Sequence, residues 1–286
     1  MLRVLIATDG SKPALTAMTA ATRILSAEER CIDLLCCIPE EKRGSLERAQ
    51  RRAARVVEAA RHALAEQGIS ARPRIERGSP IKTLLRASLD YDVTVVGAKS
   101  RDDGTPTGLG PVANRIIEHS TASVLIGREG RNDAGLRILA PVDGSDTTLG
   151  ALEKLGALVD LRTAEVTLMH VVETPWLIGP DPPESMGEED DVGDMQAGLA
   201  FELEREAEDV LEEARTRLPP RIAVNRVIEK GLPAEVILTE ADSGDYDLVL
   251  MAASGSNDMK HQLLGSVSVK VAWNAPCSVL LMRTAG

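Results

Sequence analysis

The chain has 286 residues, roughly twice a usual domain of ~100–150 residues, with a formal charge of −11 and only two Trp, two Tyr and one Phe in a 43% hydrophobic composition. Modules that stack bases on rings are excluded, and the negative charge opposes a phosphate backbone, so nucleic acid is not expected as a partner. No apolar run approaches the ~20 residues of a membrane-spanning helix. The start lacks a signal-peptide pattern, so a soluble, cytoplasmic chain is expected.

In chain order, Val4–Ala7 and Ile32–Cys37 are short apolar runs that read as strands, and Pro13–Leu25 between them as a helix. Leu46–Glu66 follows as a helix with Val56, Ala60, Ala63 and Leu64 on one face and Gly68 as its stop. Arg72–Arg77 is a short strand before a Gly-x-Pro turn at Gly78, and Pro80–Leu89 is a helix opened by proline. Val93–Val96 and Val124–Ile126 complete the set. Runs this apolar suit a parallel sheet covered on both faces.

The pattern then repeats. Arg3-Val-Leu-Ile-Ala-Thr-Asp9-Gly-Ser11 returns as Arg137-Ile-Leu-Ala-Pro-Val-Asp143-Gly-Ser145, an offset of 134, and the segment from Asp90 to Ser100 returns from Asp245 to Gly255, an offset of 155. The second copy therefore carries 21 extra residues, placed at about 176–195. From Asp181 to Asp194 this insert holds seven acids and no base, and it is expected to be a solvated loop. Its four adjacent acids lack the spaced pattern of a calcium loop. The long helix of the second copy carries Leu203, Ala207, Val210, Leu211 and Ala214 at helical spacing, and Arg221–Ile228 reads as its short strand. Two domains are expected, at 1–132 and 135–286, each a doubly wound five-stranded α/β unit. Cys31, Cys36, Cys37 and Cys277 show no CxxC spacing and read as small buried hydrophobes, and the four histidines show no ligand spacing, so neither a metal site nor a catalytic residue is assigned.

In such sheets ligands sit at the carboxyl ends of strands, where strand order reverses. Asp9 and Asp143 close the first strand of each copy. There a carboxylate can meet a ribose hydroxyl or tie down the next helix. After the fourth strand the second copy reads Ala252-Ala-Ser-Gly255, then nine residues, then Gly265-Ser266-Val-Ser268 ahead of an amphipathic helix. Glycines admit backbone amides to a phosphate, and a helix amino terminus points such amides outward; a plainly capped helix is the alternative reading. Lys260 and His261 in this loop read as solvated.

These residues together resemble the universal stress protein family, over the whole chain except the insert. The family pattern Gly-x2-Gly-x9-Gly-(Ser/Thr) is met by Ala252, Gly255, Gly265 and Ser266, departing at its first position, and by Gly97, Ser100, Gly110 and Pro111, departing at the second and fourth. The strand–Asp-Gly-Ser openings, the Gly-x-Pro turns and the closing Asn274-Ala-Pro-Cys-Ser-Val-Leu-Leu281 also match. The resemblance implies two Rossmann-like domains packed with pseudo-twofold symmetry, their last strands at the shared edge, and an adenine nucleotide, ATP with or without Mg2+, as ligand. By that likeness Asp143 would meet the ribose, Val171, Met251 and Ala252 would line the adenosine side, and Gly255, Gly265, Ser266 and Ser268 would receive phosphates. The matching first-copy positions are Asp9, Ile38, Gly97 and Gly110, weakened by Pro111, which has no N–H. Ala252 leaves two roles open for the family's glycine, positive φ or room.

A stress-response module with a regulatory role is the leading expectation, with a non-nucleotide adaptor and a slow ATP hydrolase as alternatives. No Gly-x4-Gly-Lys-(Ser/Thr) loop, Gly-x-Ser-x-Gly elbow or His-Glu-x2-His pair supports catalysis. Pairing of two chains and an unidentified protein partner stay open.

Overall fold

The computed structural model describes residues 1–26, 30–39, 46–99, 108–130, 135–173, 189–253 and 264–283, with 189–197 as backbone only. The first half runs β1 (Leu2–Ala7), α1 (Lys12–Ile24), β2 (Arg30–Ile38), α2 (Leu46–Ala65), β3 (Ala71–Arg77), α3 (Pro80–Ser88), β4 (Val93–Gly97), α4 (Pro111–His119) and β5 (Ser123–Gly127). The second runs β6 (Leu136–Pro141), α5 (Asp146–Leu158), β7 (Ala164–Val172), α6 (Glu189–Thr216), β8 (Ala223–Lys230), α7 (Pro233–Ser243), β9 (Leu248–Ala252), α8 (Ser266–Asn274) and β10 (Ser278–Met282).

Local chemistry accounts for most boundaries. Proline stands in the first turn of α1, α3, α4 and α7, where the missing N–H costs no intrahelical bond. Gly78 and Gly231, ahead of α3 and α7, sit at φ +139° and +141°, which only glycine adopts without strain. In α2 the buried stripe is Ala53, Val57, Ala60 and Leu64, with Val56 and Ala63 only half-buried, so the helix is rotated slightly from the face read off the sequence. The expected strand at Arg221 begins at Ala223 instead, because Ile222 N–H closes a turn on the Pro219 carbonyl.

The acidic insert is corrected in part. Its end from Glu189 onward belongs to α6, a helix of 28 residues against 20 in α2. Residues 174–188 lie outside the described residues.

All strands form one ten-stranded sheet in the order β3-β2-β1-β4-β5-β10-β9-β6-β7-β8, parallel within each half. The halves join edge to edge, β5 antiparallel to β10, with Leu125 opposite Leu280. Those two leucines are equivalent at the offset of 155, so a local twofold axis passes between them. Leu25 and Val159, equivalent at 134, bridge antiparallel on the same axis, with Ser26 N–H donating to Leu158 and Asp160 N–H to Ile24. The outer edges β3 and β8 are blunted against further pairing by Pro73 and by charges such as Arg72, Arg74 and Lys230.

One apolar layer fills the space between the sheet and α1, α2, α5 and α6, and a second lies under α3, α4, α7 and α8. Each fully buried Leu, Ile or Val contributes about 1.5–3 kcal/mol. Across the axis two arginines act reciprocally. Arg128 N–H donates to Ser278 Oγ at 3.0 Å while its guanidinium donates to the Ala272 and Trp273 carbonyls that end α8 and to the Cys277 carbonyl ahead of β10. Arg283 N–H donates to Ser123 Oγ at 3.1 Å and its guanidinium to the Ile117 carbonyl of α4 at 2.8 Å. A cation at a helix carboxyl end satisfies orphan carbonyls and the negative pole. Burial pushes Arg128 down to about 10, so it stays charged at neutral pH, and it lowers Arg283 in the same sense.

Among the described residues no disulfide joins the four cysteines; Cys36 and Cys277 are buried but Cys31 and Cys37 only half-buried, less enclosed than their apolar surroundings in sequence imply. No helix there is long and apolar enough to cross a membrane. No group of three or more His, Cys, Asp or Glu stands together as a metal site among them.

Candidate functional site

Strand order reverses between β1 and β4 in the first half and between β6 and β9 in the second. The crevice beyond the carboxyl ends of β6 and β9 is bounded by Asp143, by Val171 at the end of β7, by Met251 and Ala252 ending β9, and by the start of α8. Gly255, Ser100, Lys260 and His261 lie outside the described residues.

Asp143 is exposed, and its Oδ1 accepts from Ser145 N–H at 3.0 Å, Ser145 Oγ–H at 2.6 Å and Thr148 Oγ1–H at 2.8 Å. Ser145, not the aspartate, caps α5, accepting from Thr148 N–H. Asp143 thus closes the turn through Gly144, at φ +76°, and its carboxylate is held in one orientation by three donors. Among the described residues Asp9 accepts from Ser11 N–H at 2.9 Å, and it lacks the Thr148 donor because Ala14 stands at that position.

Gly265 is the N-cap of α8, its N–H donating to the Ala253 carbonyl at 3.0 Å, and Ser266 is exposed in the first turn. This bond closes the base of the loop and directs the following amides outward. Ser268 is buried at 5% exposure and its Oγ–H donates to the Ala252 carbonyl at 2.8 Å. Its hydroxyl hydrogen therefore points into the protein, and Ser268 works as a strut between α8 and β9 rather than as a donor toward the crevice.

Met251 and Ala252 are 6% and 7% exposed, and as strand neighbours they enter opposite layers, Met251 under α7 and α8 and Ala252 under α5. Val171 is half-buried on the Met251 side. Among the described residues outside glycine, positive φ occurs only at Asp245, so Ala252 is unstrained. Its first-half equivalent Gly97 is also not at positive φ, but a Cβ there would lie 2.5 Å from the Pro13 carbonyl oxygen. That glycine makes room for α1.

Register corrects one equivalence. Ala7 pairs with Leu35 and Pro141 with Met169, so the counterpart of Val171 is Cys37, not Ile38. Ile38 is 2% exposed and enters the opposite layer from Val171. Cys37 lies on the Val171 side; burial above all, then the neighbouring Cys36 and Glu76, push its thiol up to about 11, partly offset by the Thr83 hydroxyl and Arg86. Gly110 caps α4 with Pro111 in the first turn, so one outward amide of the equivalent helix is missing.

The sequence reading passed over His170, half-buried at the end of β7, whose Nδ1–H donates to the Val142 carbonyl at 2.9 Å and so fixes the backbone just before Asp143. Its position next to the Val171 site was legible, but its bond to the carbonyl just beyond β6 was not.

Three comparisons bear on this arrangement. The sequence pattern of the family described as "Universal stress protein family" is matched twice, at residues 1–128 and 136–283. A universal stress protein of Mycolicibacterium smegmatis is 26% identical over 259 residues, 87% of this chain and 79% of that protein. One from Thermus aquaticus is 34% identical over 148 residues, 51% of this chain and 97% of that protein. The crystal structure of a universal stress protein from Archaeoglobus fulgidus superposes with a TM-score of 0.67 at 20% identity, covering 99% of this chain and 98% of that one, a likeness of fold. Matched in both halves, the chain belongs to the universal stress protein family.

Proposed function

We propose that the second half binds an adenine nucleotide, ATP with or without Mg2+, and that the protein acts as a ligand-controlled regulator rather than an efficient catalyst. The observation that carries this reading is the pairing of Asp143, oriented by three donors, with the open amino terminus of α8 at Gly265–Ser266 across one strand-order reversal. A carboxylate accepts from paired ribose hydroxyls, and outward amides with a hydroxyl receive phosphate oxygens. Val171 offers an apolar contact for a purine, while Met251 and Ala252 support the crevice from beneath, being almost wholly buried.

The first half is the weaker binder in this reading. Asp9 lacks the hydroxyl that Thr148 gives Asp143, Cys37 replaces Val171, and Pro111 lacks the amide that Ser266 supplies. Ile38, turned to the other layer, takes no part. Ser268, turned inward toward the Ala252 carbonyl, is not a donor to the phosphates in this reading.

Titration of ATP by calorimetry into wild type, Gly265→Asp and Gly110→Asp tests the assignment. Gly265→Asp sets a carboxylate at the proposed phosphate position and is expected to weaken binding at least tenfold, about 1.4 kcal/mol, whereas Gly110→Asp leaves the high-affinity phase intact. Equal affinity in wild type and Gly265→Asp overturns the reading.

A further inference from the structure

Helix α8 is held at its two ends by different halves of the molecule. Its amino end belongs to the second half, where Gly265 N–H donates to the Ala253 carbonyl at 3.0 Å and Ser268 Oγ–H to the Ala252 carbonyl at 2.8 Å. Its carboxyl end is gripped by the first half. Arg128 donates to the Ala272 and Trp273 carbonyls, and the Trp273 indole N–H donates to Asn114 Oδ1 of α4 at 3.1 Å. The same ring stands against Gly108, where a Cβ would lie 2.7 Å from Trp273 Cε3.

Gly108 leads into the first-half crevice. It sits at φ +90°, its carbonyl accepts from Lys99 N–H at 3.1 Å, and it is followed by Leu109 and by Gly110, the N-cap of α4. Two independent reasons require glycine there, the backbone conformation and the ring pressed against it. The run 108–110 therefore rests on an aromatic side chain that the other half supplies.

The join between the halves does not itself demand this contact. Capping of the last turn is reciprocal, Arg128 on α8 and Arg283 on α4. The indole contact is not. At the offset of 155, Trp273 corresponds to Glu118 and Asn114 to Val269. Glu118 takes its hydrogen bonds on its own helix, from Asn114 Nδ2 at 2.9 Å and Arg115 at 3.1 Å. One helix sends a ring across the axis where its counterpart keeps a carboxylate at home.

On the reading that Gly265 and Ser266 receive phosphate, we propose that Trp273 couples the two crevices. Helix α8 has nine residues, about 13 Å at 1.5 Å per residue, and a packed helix of that length shifts as a unit. A ligand at its amino end favours the position in which Trp273 is seated on Gly108 and Asn114, and so tightens 108–110. Coupling is reciprocal in free energy, so loosening the seat weakens the ligand. The second half is then the sensor, and the first-half run 108–110 the element that responds.

The test uses the full chain with Trp176→Phe, which leaves Trp273 as the single tryptophan, and Gly110→Asp, which sets a carboxylate at the first-half phosphate position. ATP is titrated by calorimetry while Trp273 emission and hydrogen exchange at 108–110 are followed. Emission is expected to change with the calorimetric affinity, since the ring is 36% exposed and its surroundings shift, and exchange at 108–110 is expected to slow. Both responses are expected to vanish when Gly265→Asp is added. Asn114→Ala, which removes the indole's acceptor, is expected to weaken ATP binding about threefold with an unchanged circular dichroism spectrum, the effect of one neutral hydrogen bond. A merely structural contact would leave that affinity alone. Heat of ATP binding without a change in emission or exchange, responses that survive Gly265→Asp, or an affinity indifferent to Asn114→Ala overturns the coupling and leaves nucleotide binding standing. Absence of any heat of binding overturns both.

Discussion

The two halves of this chain are equivalent in topology and solve the same packing problems by different means. In the first half α1 rests directly on backbone. A Cβ on Gly97 would lie 2.5 Å from the Pro13 carbonyl oxygen, and one on Gly127 would lie 2.3 Å from Ala17 Cα. In the second half the equivalent positions are Ala252 and Met282, both buried in the layer beneath α5. Side chains fill there what backbone contact fills in the first half. The buried tyrosines differ likewise. Tyr91 donates to Asp33 within a charged cluster that includes Arg72, Arg74 and Glu76, whereas Tyr246 donates to Glu240 at 2.8 Å in a less charged setting. Equivalent positions constrain geometry rather than residue type, so a duplicated fold can drift in chemistry while keeping its sheet.

The sharpest way to break this comparison is to exchange the small residues. Gly97→Ala and Gly127→Ala are expected to cost about 2–3 kcal/mol each, because backbone rather than a movable side chain stands in the way. Ala252→Gly, which removes a methyl from a site built for one, is expected to cost about 1 kcal/mol. Urea unfolding midpoints measure both. A Gly97→Ala loss no larger than that of Ala252→Gly would show that α1 shifts freely and that the halves pack alike.

The reciprocal arginines come next in size. Arg128, 5% exposed, donates to three carbonyls, while Arg283, half-buried, donates to one. Arg128→Met is expected to cost about 2 kcal/mol, the unpaired carbonyls outweighing relief of the buried charge, and Arg283→Met about 1 kcal/mol. Equal losses would mean that burial does not distinguish the two sides of the axis.

How much of this was legible in sequence follows from the range of each interaction. The repeat offsets of 134 and 155 carried the duplicated fold, because apolar periodicity and the Gly-x-Pro and Asp-Gly-Ser punctuation are local signals, whereas the pairing of last strands was implied only by the family resemblance. The site was legible as positions after strands, but not as roles. Ser268 reads as a hydroxyl ahead of a helix, and only its contact with the Ala252 carbonyl shows that it points inward. Ile38 reads as the match of Val171 because both are branched and apolar near a strand end; a one-residue slip reverses the face, and only the pairing of Ala7 with Leu35 fixes it. Arg128 and Arg283 carry no motif at all, since their partners are backbone carbonyls of the other half.

The smallest expected effect concerns Cys37, which stands where the second half has Val171. Its thiol is raised from 9.0 to about 11, chiefly by burial. A raised acid favours the protonated form in the folded state. Below pH 9 both folded and unfolded chains hold the proton and stability is unaffected; as pH rises from 9 to about 11 the unfolded chain loses its proton first, and stability falls. Cys37→Val removes this component and makes the first half like the second. Tyr246, raised from 10.0 to about 12, adds a similar loss at higher pH that the variant retains. Denaturant titrations at several pH values are therefore expected to show wild type and Cys37→Val with a constant stability difference below pH 9 and a difference shifting in favour of the variant above it. Partial exposure of the thiol keeps this shift modest. A difference that stays constant through pH 11 would show that the Cys37 environment is as open to water as an unfolded chain, and the distinction between the two strand ends would then be one of size alone.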